Sequence, residues 1–451
     1  MIRDFALRCN STGLSKSTFV CTISMLLLIR TYTCQSQVNL NTFRYPAEFE
    51  QQQAVWFGWE KEDTSLQNTA VKIISKLQGK VPVKMAVASE ELGESAIKFL
   101  TKKGINPDQI DFYVIPGDRF WIRDNGATFL VDNDARMGVV DFQWSSYGYF
   151  DWLLEKLPQM DTAIKAVRDM QLINDKSMLD QKMALITGSE LIESKLVIEG
   201  GALETNGKGV LLQCEQVTLQ RNPGWTKEQI EEEYRRVLNI KKVIWLKKGT
   251  ADDGRRFVPY RNYVFTGTGG HLDEFVRFAD ANTILLAWID EEDKDKNPLN
   301  HLTYERMHEN LKILEKATDQ DGNPFRIIKV PMPSIIELAQ GTQHGVTSDD
   351  SEFAGYLTGT ENSPGKKMIR VATVSYLNFL VTNGMVINAS YVNHGTPAQR
   401  EERVKAIFKE VFPDRKQVWI DVLPLNRNGG GIHCITHQEP LSISKESMVI
   451  P

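Results

Sequence analysis

Apolar and polar positions follow two rhythms from Tyr45 to the end of the chain. Short apolar runs predict buried strands, and longer stretches with apolar positions at helical spacing predict amphipathic helices between them. This alternation is typical of an α/β fold, and no fixed-period repeat interrupts it. The predicted helices are Leu66–Leu77, Ser89–Lys103, Thr226–Leu238, Pro298–Thr318 and Pro397–Val411, and the predicted strands are Val81–Ala88, Gln109–Ile115, Lys241–Leu246, Gln417–Leu423 and two strands within Val371–Ser390 that meet at Asn383-Gly384.

Two stretches depart from this rhythm. Residues 1–37 combine a basic start with the apolar run Phe19–Ile29, which is typical of a cleaved secretory signal and short for a membrane span. We therefore expect a mature chain without a membrane span, in the secretory pathway or outside the cell. A transit peptide, a short anchor or a non-structural extension of a cytoplasmic protein are the alternatives. Phe150–Lys195 is charge-rich, so a peripheral insertion or lid is predicted over 150–195 within one catalytic domain, 38–451.

The composition limits the classes of partner. Hydrophobic residues make up 41% of the chain and charged residues 25%, which is the balance of a soluble globular protein with a large core. A formal net charge of -5, without any long basic run, argues against nucleic acid as a partner. The sequence does not fix the oligomeric state, and a homo-oligomer is left open.

The cysteines point to chemistry rather than to a disulfide framework. Removal of residues 1–37 leaves only Cys214 and Cys434. A disulfide bond between these two is an alternative that would make the Cys434 thiol unreactive, but two cysteines do not make a disulfide framework. Cys434 follows three consecutive glycines, Gly429–Gly431, whose backbone can turn where a Cβ would clash. We interpret Cys434 as the candidate nucleophile.

Two further segments place carboxylates at strand ends. Phe120–Phe129 carries Arg123 and Asp124, for which an ion pair on the surface is the plainer alternative. Glu199 lies at the end of the strand-like run Leu196–Ala202, where an exposed glutamate at a hairpin corner is the plainer alternative. Both carboxylates are candidates for a site shared with the cysteine.

His271 and Asp273 follow the glycine pair Gly269-Gly270. In extended backbone, residues two apart face the same side, so these two side chains would project together while Leu272 enters the core. This spacing suits a shared site, although a satisfied hydrogen bond is the plainer alternative.

The candidate groups are a thiol, an imidazole and three carboxylates. A protease of the Cys–His type needs a nucleophile, a base and one orienting group, so three carboxylates exceed its requirements. A guanidinium presents several N–H donors in a planar fork, which carboxylates accept in pairs. The set therefore favours a planar cation as the substrate. Its members are Cys434, His271, Asp124, Glu199 and Asp273.

The same segments resemble those of the agmatine deiminase family, within the guanidine-modifying pentein superfamily. They occur in the family's order along nearly all of the chain after residue 44, which makes the set far more specific than any one segment. The matching segments are Tyr45–Glu50, Trp56–Trp59, Trp121–Gly126, Glu199–Gly201, Gly270–Asp273 and Gly430–Thr436.

The resemblance implies a single-domain α/β propeller of five pseudo-equivalent ββαβ modules around a central substrate pit. It implies that Cys434 attacks the guanidinium carbon while Asp124 and Asp273 hold the guanidinium nitrogens. His271, oriented by Glu199, would protonate the departing ammonia and then activate water. No metal or organic cofactor is implied. The implied substrate-binding residues are Trp121, Asp118, Asn125 and Gly431.

The implied reaction is hydrolysis of agmatine to N-carbamoylputrescine and ammonia through a covalent cysteine thiouronium, a step in putrescine and polyamine biosynthesis. Two departures from the family's pattern bear on the substrate. Family members usually have an Asp-Ser-like pair before the tryptophan of the first motif, whereas this chain has Arg119-Phe120, with Asp118 one step earlier. That loop bears on the recognition of the amine end of agmatine. Ala202 stands where arginine deiminases have aspartate, which argues against free arginine.

Three alternatives stay open. A peptidyl-arginine deiminase of the bacterial type, acting on an arginine side chain, would fit a secretory segment, but Asp141–Asp151 has no arginine to receive a peptide carboxylate. A binding protein that has lost activity would lack a catalytic residue type, and none is missing. A zinc-binding hydrolase would need ligands at a spacing that is not a usual pattern. Its ligands would be His433, Cys434, His437 and His271.

Overall fold

The computed structural model describes residues 42–117, 119–156, 161, 162, 165, 179–256, 258–338 and 369–443. Helices and strands alternate through these residues, as the sequence predicts for an α/β fold. The first part contains β1 (Gln52–Gly58), α1 (Thr64–Leu77), β2 (Val83–Val87), α2 (Glu90–Lys102) and β3 (Ile110–Val114). The second contains α3 (Ile122–Asn125), β4 (Thr128–Val131), β5 (Met137–Gln143), α4 (Tyr149–Lys156), α5 (Leu179–Thr187) and β6 (Glu190–Val197).

The rest of the chain continues in the same way. The third part contains β7 (Glu204–Thr205), β8 (Val210–Cys214), α6 (Glu215–Arg221), α7 (Lys227–Leu238) and β9 (Lys242–Leu246). The fourth contains β10 (Tyr263–Val264), β11 (Val276–Phe278), β12 (Thr283–Trp288), α8 (Pro298–Leu314), β13 (Arg326–Pro331) and β14 (Glu337–Leu338). The fifth contains β15 (Ile369–Val371), β16 (Leu380–Thr382), β17 (Met385–Ala389), α9 (Ala398–Val411), β18 (Lys416–Ile420), α10 (Leu423–Asn426) and β19 (Thr436–Pro440).

Five sheets share one arrangement. In each, a central strand pairs antiparallel with one neighbour and parallel with the strand that follows it across a helix. The helix is needed because parallel strands require a long crossover connection. The repeated pattern is the ββαβ module, and it supports the predicted five-module α/β architecture. The five sheets are β19-β1-β2-β3, β4-β5-β6, β7-β8-β9, β11-β12-β13 and β16-β17-β18, and a smaller sheet has the order β10-β15-β14.

The last strand completes the first sheet. β19 pairs antiparallel with β1, with Thr436 opposite Phe57. Glu439 of β19 is buried and accepts hydrogen bonds from Trp56 Nε1 (2.5 Å) and from Lys84 Nζ (2.7 Å). This closure brings the segment just before β19, which carries the candidate cysteine, to the middle of the molecule.

Local sequence signals account for several element ends. The Ser89 hydroxyl caps α2 by accepting from Leu92 N, and Thr226 forms a capping box with Gln229 at the start of α7. The turn between β16 and β17 places Gly384 at φ 67°, which glycine adopts without strain. These are the caps and the turn that the sequence predicts.

Each of the five sheets is entered through a short polar segment. Because the sheets share one arrangement, these entry segments occupy equivalent places, and they carry most of the candidate site residues. They are α3 before β4, the 3-10 turn Gly200–Ala202 before β7, the 3-10 turn Leu272–Glu274 before β11, the loop with Asn378 before β16, and the glycine turn with Cys434 before β19.

Some predicted boundaries are wrong. The helix predicted to reach Thr318 ends at Leu314, and the strand predicted to reach Leu423 ends at Ile420. The prediction of extended backbone at Leu272 is also wrong, because residues 272–274 form a 3-10 turn. Glycine-rich segments show neither a strand period nor a helix period, so the sequence does not predict the conformation of a turn beside them.

The predicted insertion over 150–195 is wrong for its C-terminal part. α5 buries Leu179 and Met183, and β6 pairs in parallel with β5 in a module sheet. Residues 179–195 therefore belong to the second module. The predicted signal, 1–37, lies outside the described residues. Every helix in the described part of the chain is too short or too polar to cross a membrane.

Candidate active site

Cys434 lies at the end of the glycine turn and is almost fully buried. Its sulfur receives hydrogen bonds from Asn378 Nδ2 (3.1 Å) and from the backbone N–H of Gly431 (3.4 Å). A Cβ at Gly430 would lie 2.6 Å from Trp121 Cζ3 and 3.0 Å from the cysteine sulfur. Glycine is therefore required for the tryptophan and the thiol to approach each other.

The imidazole of His271 lies between Glu199 and Asp124. Its Nε2 lies 3.3 Å from Glu199 Oε2, and its Nδ1 lies 3.5 Å from Asp124 Oδ1 without a hydrogen bond. Arg221 Nε donates to the other oxygen of Glu199 (2.9 Å), which fixes that carboxylate. The carboxylate of Asp253 accepts from the backbone N–H of His271 (3.1 Å). Glu199 and Asp253 thus orient the His271 ring, and its Nδ1 faces Asp124.

Two carboxylates face the same region. Asp124 accepts from the Tyr147 hydroxyl (2.9 Å) and from Gly201 N (3.0 Å). Asp273 Oδ2 contacts His433 Nδ1 (2.8 Å), while Asp273 Oδ1 is buried without a hydrogen-bond partner. An unsatisfied buried acceptor is costly, so the free oxygen suits a donor supplied by a ligand.

The point where these groups converge is marked by Gly201. A Cβ added there would lie 2.6 Å from His271 Nδ1, 2.9 Å from Asp124 Oδ1 and 3.1 Å from Asp273 Oδ2. The Cys434 sulfur lies 3.6 Å from that same oxygen of Asp273. An atom held between the carboxylates would therefore be within reach of both the imidazole and the thiol.

Burial and neighbouring charges affect the protonation of His271 and of Cys434 differently. Burial lowers the pKa of His271, but the carboxylates of Asp124 and Glu199 outweigh it and raise that pKa to about 9. Burial and the carboxylates of Asp273 and Glu274 raise the pKa of the Cys434 thiol well above its usual range. Without a bound cation, the site therefore holds an imidazolium and a neutral thiol at neutral pH.

The carboxylates of the site also differ from one another in the direction of their pKa shifts. Burial raises the pKa of Glu199, but the Arg221 guanidinium outweighs this and lowers that pKa to about 2. Burial raises the pKa of Asp124 despite the attraction of His271. Burial would also raise the pKa of Asp273, but hydrogen bonding and charge from His433 lower it. Glu199 and Asp273 are thus held as anions beside the site.

The structure brings together nearly all of the predicted site residues. Trp121 stacks edge-on against Phe120, with ring centroids 5.2 Å apart, and lies beside the cysteine turn. Asn125 lines a cavity of about 330 Å³ that also borders Asp124, and its buried Oδ1 has no hydrogen-bond partner. Asp118 lies outside the described residues.

Four residues of the site were not found from the sequence. They stand apart from the glycine-marked segments, and each acts on a predicted residue only through the tertiary fold. Only Asn378 had a signal in the sequence, because it precedes β16 at a position equivalent to the other entry segments. The four are Tyr147 on Asp124, Arg221 on Glu199, Asn378 on Cys434, and Glu48, which contacts His433 Nε2 at 2.8 Å.

Two plainer readings of single motifs are wrong. Arg123 and Asp124 do not pair on the surface, because both are buried and Arg123 Nη1 donates to Glu48 Oε1 (2.7 Å). Cys214 and Cys434 do not form a bridge, because both are free thiols.

The zinc-ligand hypothesis also fails on geometry. Its histidines turn to different partners: His437 Nε2 to the Ala127 carbonyl, His271 Nε2 to Glu199, and both nitrogens of His433 to carboxylates. Within the described residues, one group of candidate ligands lies close enough to share an ion, and only one of the four zinc candidates belongs to it. That group is Asp273, Glu274 and Cys434.

Comparison with known proteins gives relatives along almost the whole chain. The agmatine deiminase of Pseudomonas putida is 29% identical over 425 residues, which cover 92% of this chain and 100% of that protein. The agmatine deiminase of Ectopseudomonas mendocina is 28% identical over 411 residues, which cover 88% of this chain and 95% of that protein.

Solved structures share the fold. The agmatine deiminase of Enterococcus faecalis has a TM-score of 0.68 at 23% identity and covers 89% of this chain and 97% of its own. The agmatine deiminase of C. jejuni with substrate bound has a TM-score of 0.64 at 19% identity and covers the same shares. These neighbours confirm the predicted pentein-type fold. The model of the Porphyromonas-type peptidyl-arginine deiminases matches residues 44–440, and the chain belongs to that family.

Proposed function

We propose that this protein is a guanidine deiminase that hydrolyses agmatine to N-carbamoylputrescine and ammonia. The observation that carries the proposal is the convergence at Gly201, where Asp124, Asp273 and His271 surround one point beside the Cys434 sulfur. Curated relatives of nearly equal length bear the name agmatine deiminase. Paired carboxylates around a buried point suit a planar cation with several N–H donors.

In the first step, the Cys434 thiolate adds to the central carbon of the guanidinium. Asp124 and Asp273 hold the guanidinium nitrogens and keep the positive charge on the carbon. The His271 imidazolium donates its proton to the nitrogen that leaves, so the C–N bond breaks and ammonia departs. The cysteine is left bonded to the amidino carbon as a thiouronium.

In the second step, water replaces the thiol. His271, now neutral, takes a proton from water, which attacks the thiouronium carbon. The C–S bond breaks, the electron pair returns to sulfur, the hydroxyl proton is released to solvent, and the neutral ureido product leaves. Glu199 and Arg221 keep the imidazole in place through both steps, because one orients the ring and the other fixes the carboxylate.

The substrate itself helps to form the nucleophile. Burial and the surrounding carboxylates raise the pKa of the Cys434 thiol, and a bound guanidinium neutralises those carboxylates. The N–H donors of Asn378 and Gly431 then stabilise the sulfur anion. Ionisation of the thiol and binding of the cation are therefore coupled.

The physiological setting belongs to the same proposal. The product carries a carbamoyl group on a diamine, which fits a step towards putrescine. The basic and apolar start of the chain supports an exported enzyme with residues 1–37 removed. N-terminal sequencing of the protein exported by a native host tests this, and a mature chain that still begins at Met1 would contradict it.

A peptidyl-arginine deiminase is the second candidate. The description of the matching family favours it, since that family is named for peptidyl-arginine. It would use the same thiol, imidazole and carboxylates on the guanidinium of an arginine side chain.

One assay separates the candidates. Ammonia release is measured with agmatine, with free arginine and with a peptide that ends in arginine, using wild type and Cys434→Ala. We expect agmatine to give the highest kcat/KM and the alanine variant to be inactive with every substrate. Inactivity towards agmatine, with turnover of the peptide, would replace the first candidate by the second.

A further inference from the structure

A second cavity lies behind the loop that carries His271. It has a volume of about 470 Å³ and lies between α4, α6, α8 and residues 251–255 and 258–260. Its described lining does not include Cys434, Asp124 or Asp273, so it is separate from the reaction centre. A volume of this size accommodates a small organic molecule.

The described lining of the cavity contains more cationic than anionic side chains. Three guanidinium groups face it, against two carboxylates. One carboxylate, Asp253, accepts from the backbone and side chain of Thr268 and from the backbone N–H groups of Gly270 and His271. The other, Glu155, is exposed at the rim, where solvent screens its charge. The guanidinium groups belong to Arg221, Arg255 and Arg306.

Two of the arginines are held by neutral groups. Arg306 Nη1 donates to the carbonyls of Gly249 (3.1 Å) and Thr250 (3.2 Å), and its buried Nε has no hydrogen-bond partner. Arg255 Nη2 donates to the Gly148 carbonyl. Burial, and after it the charge of Arg221, lower the pKa of Arg255 to about 10, although the carboxylates of Glu155 and Asp151 act in the opposite direction. Backbone carbonyls fix both side chains but do not neutralise them.

Apolar groups complete the wall. The Arg255 guanidinium lies over the Trp152 ring, 5.7 Å from its centroid. Tyr260 and Phe265 also line the cavity. Pockets that combine aromatic walls with a few charged groups select ligands that have both an apolar body and a charged end.

We propose that this cavity binds a small organic anion, with a carboxylate or a phosphate held between Arg255 and Arg306 and an apolar body against the aromatic wall. The carboxylates of the reaction centre repel the same anion, so the anion binds in this cavity and not at the reaction centre. Binding of the anion does not depend on the proposed deiminase activity.

The cavity is also connected to the candidate catalytic histidine, and this part rests on the proposed function. Arg221 lines the cavity and donates through Nε to Glu199, which orients His271. Arg221 lies close enough to Arg255 for its charge to lower the pKa of Arg255, so an anion held at Arg255 also attracts Arg221 and competes with Glu199 for that guanidinium. Occupancy of the cavity therefore loosens the orientation of the histidine and lowers kcat, while the substrate carboxylates and hence KM are little affected.

Titration calorimetry on the Cys434→Ala protein tests binding without turnover. The probes are phenyl phosphate, phenylacetate and inorganic phosphate. We expect saturable binding at one site per chain for a phenyl probe, and weaker binding of inorganic phosphate. Phenyl phosphate and phenylacetate separate the two anion types, and saturable binding of either supports the site. No saturable binding of either phenyl probe, or inorganic phosphate binding as tightly as both, would overturn the proposal.

Charge-removing variants locate the site. Arg255→Gln and Arg306→Gln should each weaken the binding of the phenyl probe by about tenfold or more, because each removes a charged hydrogen bond. Arg255→Lys and Arg306→Lys should recover part of the affinity, which a purely structural role would not. The control is Arg403→Gln on α9, where an exposed side chain pairs with Asp290. Equal affinity in all variants and the control would overturn the assignment.

The connection is tested with the wild-type enzyme. Saturating phenyl probe should lower kcat for agmatine by at least about twofold, with little change in KM, and the effect should be lost in Arg306→Gln. Binding without an effect on kcat would overturn the connection but not the site. Absence of any agmatine turnover would overturn the proposed function, and calorimetry would still report on the cavity.

Discussion

The thiol of Cys434 lies in surroundings that oppose its ionisation. It is buried, and the carboxylates of Asp273, Glu274 and Asp124 raise its pKa. A deiminase nevertheless needs a thiolate. The conflict is resolved if the positive charge that stabilises the thiolate arrives with the substrate.

This account predicts a preference for cationic alkylating agents. Chloroacetamidine and chloroacetamide have nearly the same shape, but only the first is a cation. We expect the cation to inactivate the enzyme at least about tenfold faster at neutral pH, since each unit by which a thiol pKa falls gives about tenfold more thiolate. Inactivation rates are corrected for the reactivity of each reagent with a free thiol. Equal corrected rates would contradict substrate-assisted ionisation.

The pH dependence of the reaction tests His271. Its proton is needed for ammonia to leave, so activity should be present below its pKa of about 9 and lost as the pH rises through that value. Glu199→Gln removes a carboxylate that raises this pKa, so the alkaline limb of kcat/KM should move to lower pH. Glu193→Gln, at an exposed position of β6 just before Glu199, is the control and should leave the limb in place. An unmoved limb in Glu199→Gln would show that another group titrates.

At the scale of single residues, the sequence identifies those site residues that lie close to a glycine in the chain. His271 and Glu199 each adjoin a glycine, and Cys434 follows the glycine turn by three residues, because close packing at the site requires glycine there. Asn378 has no adjacent glycine, and although Tyr147 adjoins Gly148, both residues lie 23 or more positions from their partners in sequence. Their contacts exist only after the sheets have assembled, so no local pattern could predict them.

The entry segments are the elements on which the site depends. Gly201→Ala would place a methyl group where His271, Asp124 and Asp273 converge. We expect kcat/KM for agmatine to fall at least about 100-fold, because the substrate is displaced by roughly an atomic diameter. The thermal midpoint should change far less than the activity.

Gly138→Ala is the matched control for this substitution. It adds a methyl group within β5, where the nearest atom is the end of the Ile192 side chain at 3.3 Å. Activity should be close to that of the wild type. If both variants kept full activity, the substrate could not occupy the point beside Gly201.

The elements also show which patterns mislead. Helices with caps, such as α2 and α7, are predicted to within a residue or two, because the capping residues are local. Residues 272–274 are predicted as extended and form a 3-10 turn, yet His271 and Asp273 still face one site. The two side chains lie together because both approach Gly201, although the backbone between them is not extended.

For the whole molecule, closure of the first sheet by β19 carries Cys434 into place. Glu439→Gln removes the charge that Lys84 pairs with inside this sheet, where the glutamate is 1% exposed. We expect the free energy of unfolding to fall by about 2 kcal/mol, as judged by the urea midpoint. Glu410→Gln, in an exposed pair with Arg326, should change it by less than about 0.5 kcal/mol. Equal midpoints for both variants would contradict a role of the pair in closure.

The modular architecture is not derivable from periodicity. The sequence shows α/β alternation, but the pairing of β19 with β1 joins residues from opposite ends of the chain. The strand β7 is only two residues long, and β11 and β16 have three residues each, so these strands give no clear period. The family resemblance supplied the five modules, and the repeated sheet arrangement confirms them.

The most direct test is mass spectrometry of the enzyme quenched in acid during turnover of agmatine. The account predicts that the peptide containing Cys434 gains the mass of agmatine less ammonia. The adduct should vanish when substrate is exhausted, and it should not form in Cys434→Ala. Turnover of agmatine without this adduct, or turnover by the alanine variant, would contradict covalent catalysis by Cys434.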